Sequence, residues 1–181
     1  WFPEAITQGK AMGYLTDVAS IQGQFFPFGY PSPGHVRVQM LYKYGSSSLG
    51  SQVDSNRWIK AYQHESLQFV VNQSIWWEGE TPFADIVLPA CTQFERWDIG
   101  EWYNVGAGYV HHMYSMNNHR VIAMQHKAIE PLGESKSDYD IFTAIMEKMG
   151  MGSLYTEGGT TELDWCKRVF DSSDMAKHIG W

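Results

Sequence analysis

Thr81-Pro-Phe-Ala-Asp-Ile-Val-Leu-Pro-Ala-Cys-Thr-Gln-Phe-Glu-Arg-Trp-Asp98 reads as a helical turn, a strand and a charged loop in immediate succession. Thr81-Pro82 suits a helix start, because a threonine hydroxyl accepts an orphan backbone N–H and proline tolerates the first helical position. Asp85-Ile86-Val87-Leu88 is too short for a helix and too apolar for an exposed strand. Such a run predicts a strand covered on both faces, as in a parallel sheet, which Pro89 stops. Leu88 is expected at its centre. Glu95, Arg96 and Asp98 follow in the loop at the strand's carboxyl end, which is where open α/β sheets hold their ligands.

Outward from this stretch, the pattern alternates between strands and helices. Val36 to Tyr44 carries the β-branched and aromatic residues of a core strand. It runs into the small-residue loop Gly45-Ser46-Ser47-Ser48-Leu49-Gly50-Ser51, and Asp54-Ser55 caps a helix from Asn56 to His64. Strand, small loop and helix N-terminus together can present backbone N–H groups to a phosphate, or can be a simple turn. Leu67 to Val71 is a further strand, with Asn72-Gln73-Ser74 beyond it. Arg120 to Gln125 reads as another. Ser137 caps a helix whose first turn holds Asp138 and Asp140, and Ile141, Phe142, Ile145 and Met149 form its apolar stripe up to Gly150. Thr160 to Asp171 is amphipathic, with Leu163, Cys166, Val169 and Phe170 inward. Upstream, a short helix is expected from Glu4 to Tyr14, and Gln22 to His35 is a run of turns rich in glycine, proline and aromatics.

The chain has 181 residues, enough for one sizeable core. A net charge of −7 without any Lys/Arg cluster argues against a nucleic-acid tracker. No apolar run has the length of a membrane span, and the N-terminus has no signal-peptide pattern. Cys91 and Cys166 stand apart without a CxxC context, so both are read as buried free thiols. His111, His112 and His119 lie close together, but no carboxylate or cysteine completes a metal-ligand spacing. Aromatics make up 15% of the chain, with tryptophan at both ends and Trp76-Trp77 in a loop. That surface, and the missing initiator Met, are expected of an internal segment docked on other domains.

Ala-Asp-Ile-Val-Leu-Pro-Ala and the Thr-x-Phe-Glu-Arg-x-Asp loop resemble the molybdopterin oxidoreductases of the dimethyl sulfoxide reductase superfamily. The block Ile129-Glu-Pro-Leu-Gly-Glu-Ser-Lys-Ser-Asp-Tyr-Asp-Ile-Phe142 resembles a later segment of the same family. Trp76-Trp-Glu-Gly-Glu80, Asn118-His-Arg-Val-Ile122 and the ending from Asp164 to Met175 are most similar to its transhydroxylase branch. The resemblance implies a molybdenum or tungsten bis(molybdopterin guanine dinucleotide) cofactor, with any iron-sulfur cluster elsewhere in the parent enzyme. It implies cofactor contacts at Ser47, where the family carries an asparagine, and at Ser74 (or Gln73), where many members carry an acid. It further implies that Arg96 reaches toward the cofactor and that Asp138 binds its guanine. From the residues alone, Arg96 is equally a partner of Glu95 or Asp98, and Asp138 is explained as a helix-start acid. No residue of this stretch is expected to ligate the metal.

The reading is therefore an α/β fold, a mainly parallel sheet flanked by helices in a three-layer, Rossmann-like arrangement with long irregular aromatic loops. Residues 1–35 form a lead-in segment and 36–181 the cofactor-binding domain. The expected parent transfers or removes hydroxyl groups on polyhydroxylated aromatics, and this stretch alone is inactive; the residues do not fix a compartment, and the transhydroxylase resemblance favours the cytoplasm. Its partners are the remaining domains of the large subunit and an iron-sulfur electron-transfer subunit. The alternatives are an S-oxide or N-oxide reductase of the same superfamily and a non-catalytic flavodoxin-like binding module.

Overall fold

A computed structural model describes residues 2–13, 28–31, 34–45, 47–100 and 123–181. The expectations that rest on His111, His112 and His119, on Phe25 and Phe26 and on the first half of the Arg120–Gln125 strand lie outside the described residues. The chain is α/β, with its three-stranded sheet parallel throughout and flanked by helices. It divides into two compact units, Trp1–Pro89 and Ala90–Trp181.

The first unit carries α1 (Phe2–Thr7), β1 (Ala11–Gly13), β2 (Phe28–Tyr30), β3 (Met40–Tyr44), α2 (Ser48–Ser51), α3 (Ser55–Tyr62), β4 (Phe69–Ser74) and β5 (Ile86–Pro89). The parallel sheet runs β3-β4-β5, with Met40 opposite Phe69 and Val71 opposite Ile86. Parallel neighbours need crossovers, and α2 and α3 supply the first. A 3-10 turn at Thr81–Phe83 lies within the second. On α1 and α3, Ala5, Ile6, Ala61 and Tyr62 are buried. Ring contacts join Phe2 to Trp58 at 5.5 Å and Tyr62 to Phe83 at 5.6 Å.

Four expectations here are corrected. The first helix ends at Thr7, not Tyr14: Gly9 takes φ +68°, and Arg37 donates to the terminal carbonyls of Ile6 and Thr7. Strand β4 runs on to Ser74, so Asn72 and Gln73 lie inside it. Both are almost fully buried; Asn72 Nδ2 donates to Thr81 Oγ1 at 2.7 Å, and Gln73 Oε1 accepts from the Tyr42 hydroxyl. Thr81 does not cap its own turn. Its Oγ1 accepts instead from the Glu78 N–H. Finally, β5 is parallel as expected but not covered on both faces: Ile86 and Val87 are 44% and 42% exposed, and Leu88 is only half-buried. An apolar run specifies a strand without specifying what covers it, and the true centre is β4, where Val70 and Val71 are each 4% exposed. Asp85 explains how β5 is set in register, since its carboxylate accepts from the Val70 N–H at 2.8 Å while its own N–H donates to Val70 O.

The second unit carries β6 (Asp98–Ile99), β7 (Met124–Gln125), α4 (Asp138–Lys148), α5 (Gly152–Tyr155) and α6 (Glu162–Asp171). β6 and β7 pair antiparallel, and Ala90 forms a parallel bridge with Lys136. Ile99, Cys166 and Phe170 form its core, packed by Trp97, Met124 and Val169. Ser137 caps α4 by accepting from the Asp140 N–H, and Gly150 leaves the helix at φ +75°. The expected apolar stripe is buried only at Ile141, and Met149 stands 62% exposed. Thr161 and Asp164 form a reciprocal capping box that starts α6. Both cysteines are free and buried. Burial raises the Cys91 thiol and pushes Cys166 up to about 11, which marks both as unreactive.

Candidate functional site

In the first unit, Ser47 and Ser74 both follow or end strands at the carboxyl edge of the parallel sheet. Ser47 is the N-cap of the four-residue helix α2, accepting from the Gly50 N–H at 2.9 Å. Its hydroxyl donates to Glu80 Oε2 at 2.6 Å, and the Ser48 N–H donates to Glu80 Oε1 at 2.7 Å. The single Ser47 proton is thus committed inside the protein. Ser74 is half-buried, with its hydroxyl oxygen accepting from the Trp76 N–H at 3.3 Å.

Glu80 is 1% exposed and Lys43 7%. The Lys43 ammonium sits 3.1 Å from Glu80 Oε1, touches the Glu78 carboxylate and donates to Gly45 O at 2.8 Å. Burial pushes the Glu80 carboxyl up, but the Ser47 hydroxyl, the Ser48 N–H and Lys43 together outweigh it and hold the group below the usual range. Its charge is felt nearby. Burial first, and Glu80 second, push the Tyr62 phenol up to about 12. Gly79 lets this acidic turn approach α2, since a Cβ there would lie 3.1 Å from Leu49 Cβ.

In the second unit, Arg96 and Asp138 come together across forty-two positions of sequence: Arg96 Nη1 donates to Asp138 Oδ2 at 2.6 Å, and Nη2 lies 2.9 Å from Asp98 Oδ2. Of the two loop partners that the residues offered for Arg96, the structure uses Asp98. Glu95 is engaged elsewhere. It is 4% exposed; one carboxylate oxygen accepts from the Thr92 N–H and hydroxyl, both at 2.7 Å, and the other from the Leu132 N–H at 2.7 Å and the Ser135 hydroxyl at 3.2 Å. These bonds, led by the Thr92 hydroxyl, hold the Glu95 carboxyl at about 2. Glu95 therefore ties the loop after β5 to the loop that leads into α4, and this sets Arg96 opposite Asp138. Glu162, raised by burial, accepts from the Trp97 N–H at 3.1 Å and anchors the same loop to α6.

Ser47 and Ser74 belong to one unit, and Arg96 and Asp138 to the other. Glu80, Lys43 and the clamping role of Glu95 are absent from the sequence reading. One signal was available: Lys43 is a lone cation within the apolar strand Met40–Tyr44, and an inward charge requires a buried partner. Among the described residues, no group of His, Cys, Asp and Glu is arranged to hold a metal ion, and no helix is long and apolar enough to cross a membrane.

For the pterin nucleotide that the sequence resemblance implies, the two units offer different chemistry. The Asp138 carboxylate, at the start of the eleven-residue α4, is an acceptor of the kind that guanine N–H groups need, and Arg96 Nη1 donates to one of its oxygens. The Ser47 hydroxyl does not suit a phosphate in the same way, because its only proton already goes to an ionised carboxylate.

The family model for molybdopterin oxidoreductases matches residues 8–148. The pyrogallol hydroxytransferase large subunit of Pelobacter acidigallici is 47% identical over 99% of this chain and 20% of its own length. Dimethyl sulfoxide/trimethylamine N-oxide reductases of Cereibacter sphaeroides and Rhodobacter capsulatus are 31% and 35% identical, over 96% and 90% of this chain and 19% and 18% of theirs. The chain thus spans about a fifth of the length of these relatives.

Proposed function

Because the chain belongs to the molybdopterin oxidoreductase family, whose name implies a pterin-held metal, we propose that it holds the guanine-nucleotide end of a molybdenum or tungsten bis(molybdopterin guanine dinucleotide) cofactor. When bound, that group supplies the redox and group-transfer chemistry. The residues here supply grip and orientation. One observation carries the reading: Arg96, itself steadied by Asp98, donates to the Asp138 carboxylate at the start of α4 and sets it in place. An ionised carboxylate accepts two N–H bonds from the Watson–Crick edge of guanine, a pattern that no other common base offers. Arg96 has the planar fork for a phosphate or carboxylate and sets the charge balance beside Asp138. Ser74 stands at the carboxyl edge of the sheet, where its hydroxyl can meet a ligand. Ser47 contributes through the loop backbone it caps.

In the parent protein the reaction is the transfer or removal of a hydroxyl group on a polyhydroxylated aromatic ring. The 47% identity to the pyrogallol hydroxytransferase large subunit favours it. Reduction of an S-oxide or N-oxide is the second reading, favoured by the reductases at 31% and 35%. The remaining domains of the parent polypeptide and an iron-sulfur electron-transfer subunit complete the machinery. The test is the metal and guanine-nucleotide content of the full-length protein, purified without added cofactor, followed by assay on a trihydroxybenzene and on dimethyl sulfoxide. Molybdenum or tungsten with guanine nucleotide in the ratio of a bis form, and turnover of the aromatic, is expected. A folded protein without either overturns the cofactor reading, and turnover of the S-oxide alone moves the assignment to the second.

A further inference from the structure

We propose that Glu80 is a positioning residue, a built-in anion that shapes the loop between β3 and α2 from its buried side so that the loop meets the cofactor as a fixed surface and not as a phosphate cradle. The part that concerns the cofactor rests on the function proposed above; the part that concerns the loop stands on geometry alone. The small-residue loop followed by a helix start has the form of an anion site. In this protein the anion is already present. The Ser47 hydroxyl and the Ser48 N–H both donate to the Glu80 carboxylate, and the Gly50 N–H donates to Ser47 Oγ, while the Ser51 N–H donates to Ser47 O. The first-turn donors of α2 named here are therefore satisfied within the protein. Lys43 closes the cluster from the sheet side by contacting Glu80, Glu78 and the Gly45 carbonyl, so the loop is gripped at Gly45, Ser47 and Ser48. With two carboxylates to one ammonium, the cluster also disfavours a second anion beneath the loop.

Glu80 is buried enough that its replacement also costs stability, so the experiment separates shape from folding. Three forms of the full-length protein are compared: wild type, Glu80→Gln, and Glu80→Gln with Lys43→Met, which removes both charges and leaves no unpaired ammonium. Three quantities are read: exchange of the Ser48 and Gly50 amides, melting temperature, and guanine nucleotide retained per protein. Glu80→Gln is expected to speed exchange at Ser48 by ~10- to 100-fold, the loss of one charge-assisted hydrogen bond, and to lower both other quantities. The double variant is expected to recover melting temperature while its Ser48 exchange stays fast and its nucleotide retention stays low. Unchanged exchange in Glu80→Gln overturns the shaping role. Recovery of retention together with melting temperature overturns positioning and leaves Glu80 a stabilising residue only. If the wild type holds no guanine nucleotide, the cofactor reading and the cofactor half of this proposal both fall, while amide exchange still decides whether Glu80 shapes the loop.

Discussion

Asp138→Asn separates the two jobs that one carboxylate performs. In the folded protein the substitution removes the charged partner of Arg96 Nη1 at 2.6 Å, in a pair whose side chains are 24% and 37% exposed. A partly exposed pair of this kind contributes about 1 kcal/mol, and an acid in the first helical turn adds about 0.3–1 kcal/mol. The cap itself survives, because Ser137 still accepts from the Asp140 N–H and Asp140 remains in the first turn. Folding should therefore lose about 1–2 kcal/mol. Binding loses more. Two charge-assisted bonds to guanine shrink to one neutral bond, and the amide NH2 faces an N–H donor, a cost of about 2–4 kcal/mol or a ~30- to 1000-fold weaker hold. The assay pairs a denaturant titration of the full-length protein with its guanine-nucleotide content after dialysis. Loss of nucleotide at a small shift in midpoint is expected. Equal proportional losses would refute the reasoning and reduce Asp138 to a helix-start acid.

Arg96→Ala should leave Asp98 and Asp138 facing each other without a counter-charge and lower nucleotide retention while far-ultraviolet circular dichroism stays unchanged; unaltered metal and nucleotide content would assign Arg96 to loop shape alone. Val71→Asp places an unpaired charge at a residue 4% exposed on the central strand and should prevent the first unit from folding, measured as insoluble or protease-sensitive protein; a folded, soluble product would show that β4 is not the centre. Glu95 gives a pH test. Its carboxyl, depressed to about 2 from 4.5, stabilises the fold fully above about pH 4.5, and that contribution is lost as pH falls toward 2. Protection of the Leu132 amide should therefore fall across this window in the wild type and be low and flat in Glu95→Gln, and matching profiles would remove Glu95 as the clamp.

What the sequence could convey follows the range of each interaction. Local signals were readable: a parallel strand expected over Asp85–Leu88 and found at Ile86–Pro89, the caps at Asp54 and Ser137, and the helix exit at Gly150 all depend on residues within a few positions. The strand limits failed where a polar side chain found a distant partner. Asn72 and Gln73 look like the end of a strand by propensity, and their place inside β4 goes with distant partners that include Thr81 and Tyr42. The same range decides the candidate site. Arg96 and Asp138 could be singled out by family pattern, yet their contact depends on Glu95 holding two loops whose joined residues lie about forty positions apart. Glu80 was the least accessible of all, because its partners Ser47 and Lys43 lie on the preceding crossover and strand, more than thirty positions away. The exposed Ile86 and Val87 extend this reasoning beyond the chain. An apolar parallel strand belongs under a covering layer, and a polypeptide about five times longer, such as the relatives have, contains the residues to form one.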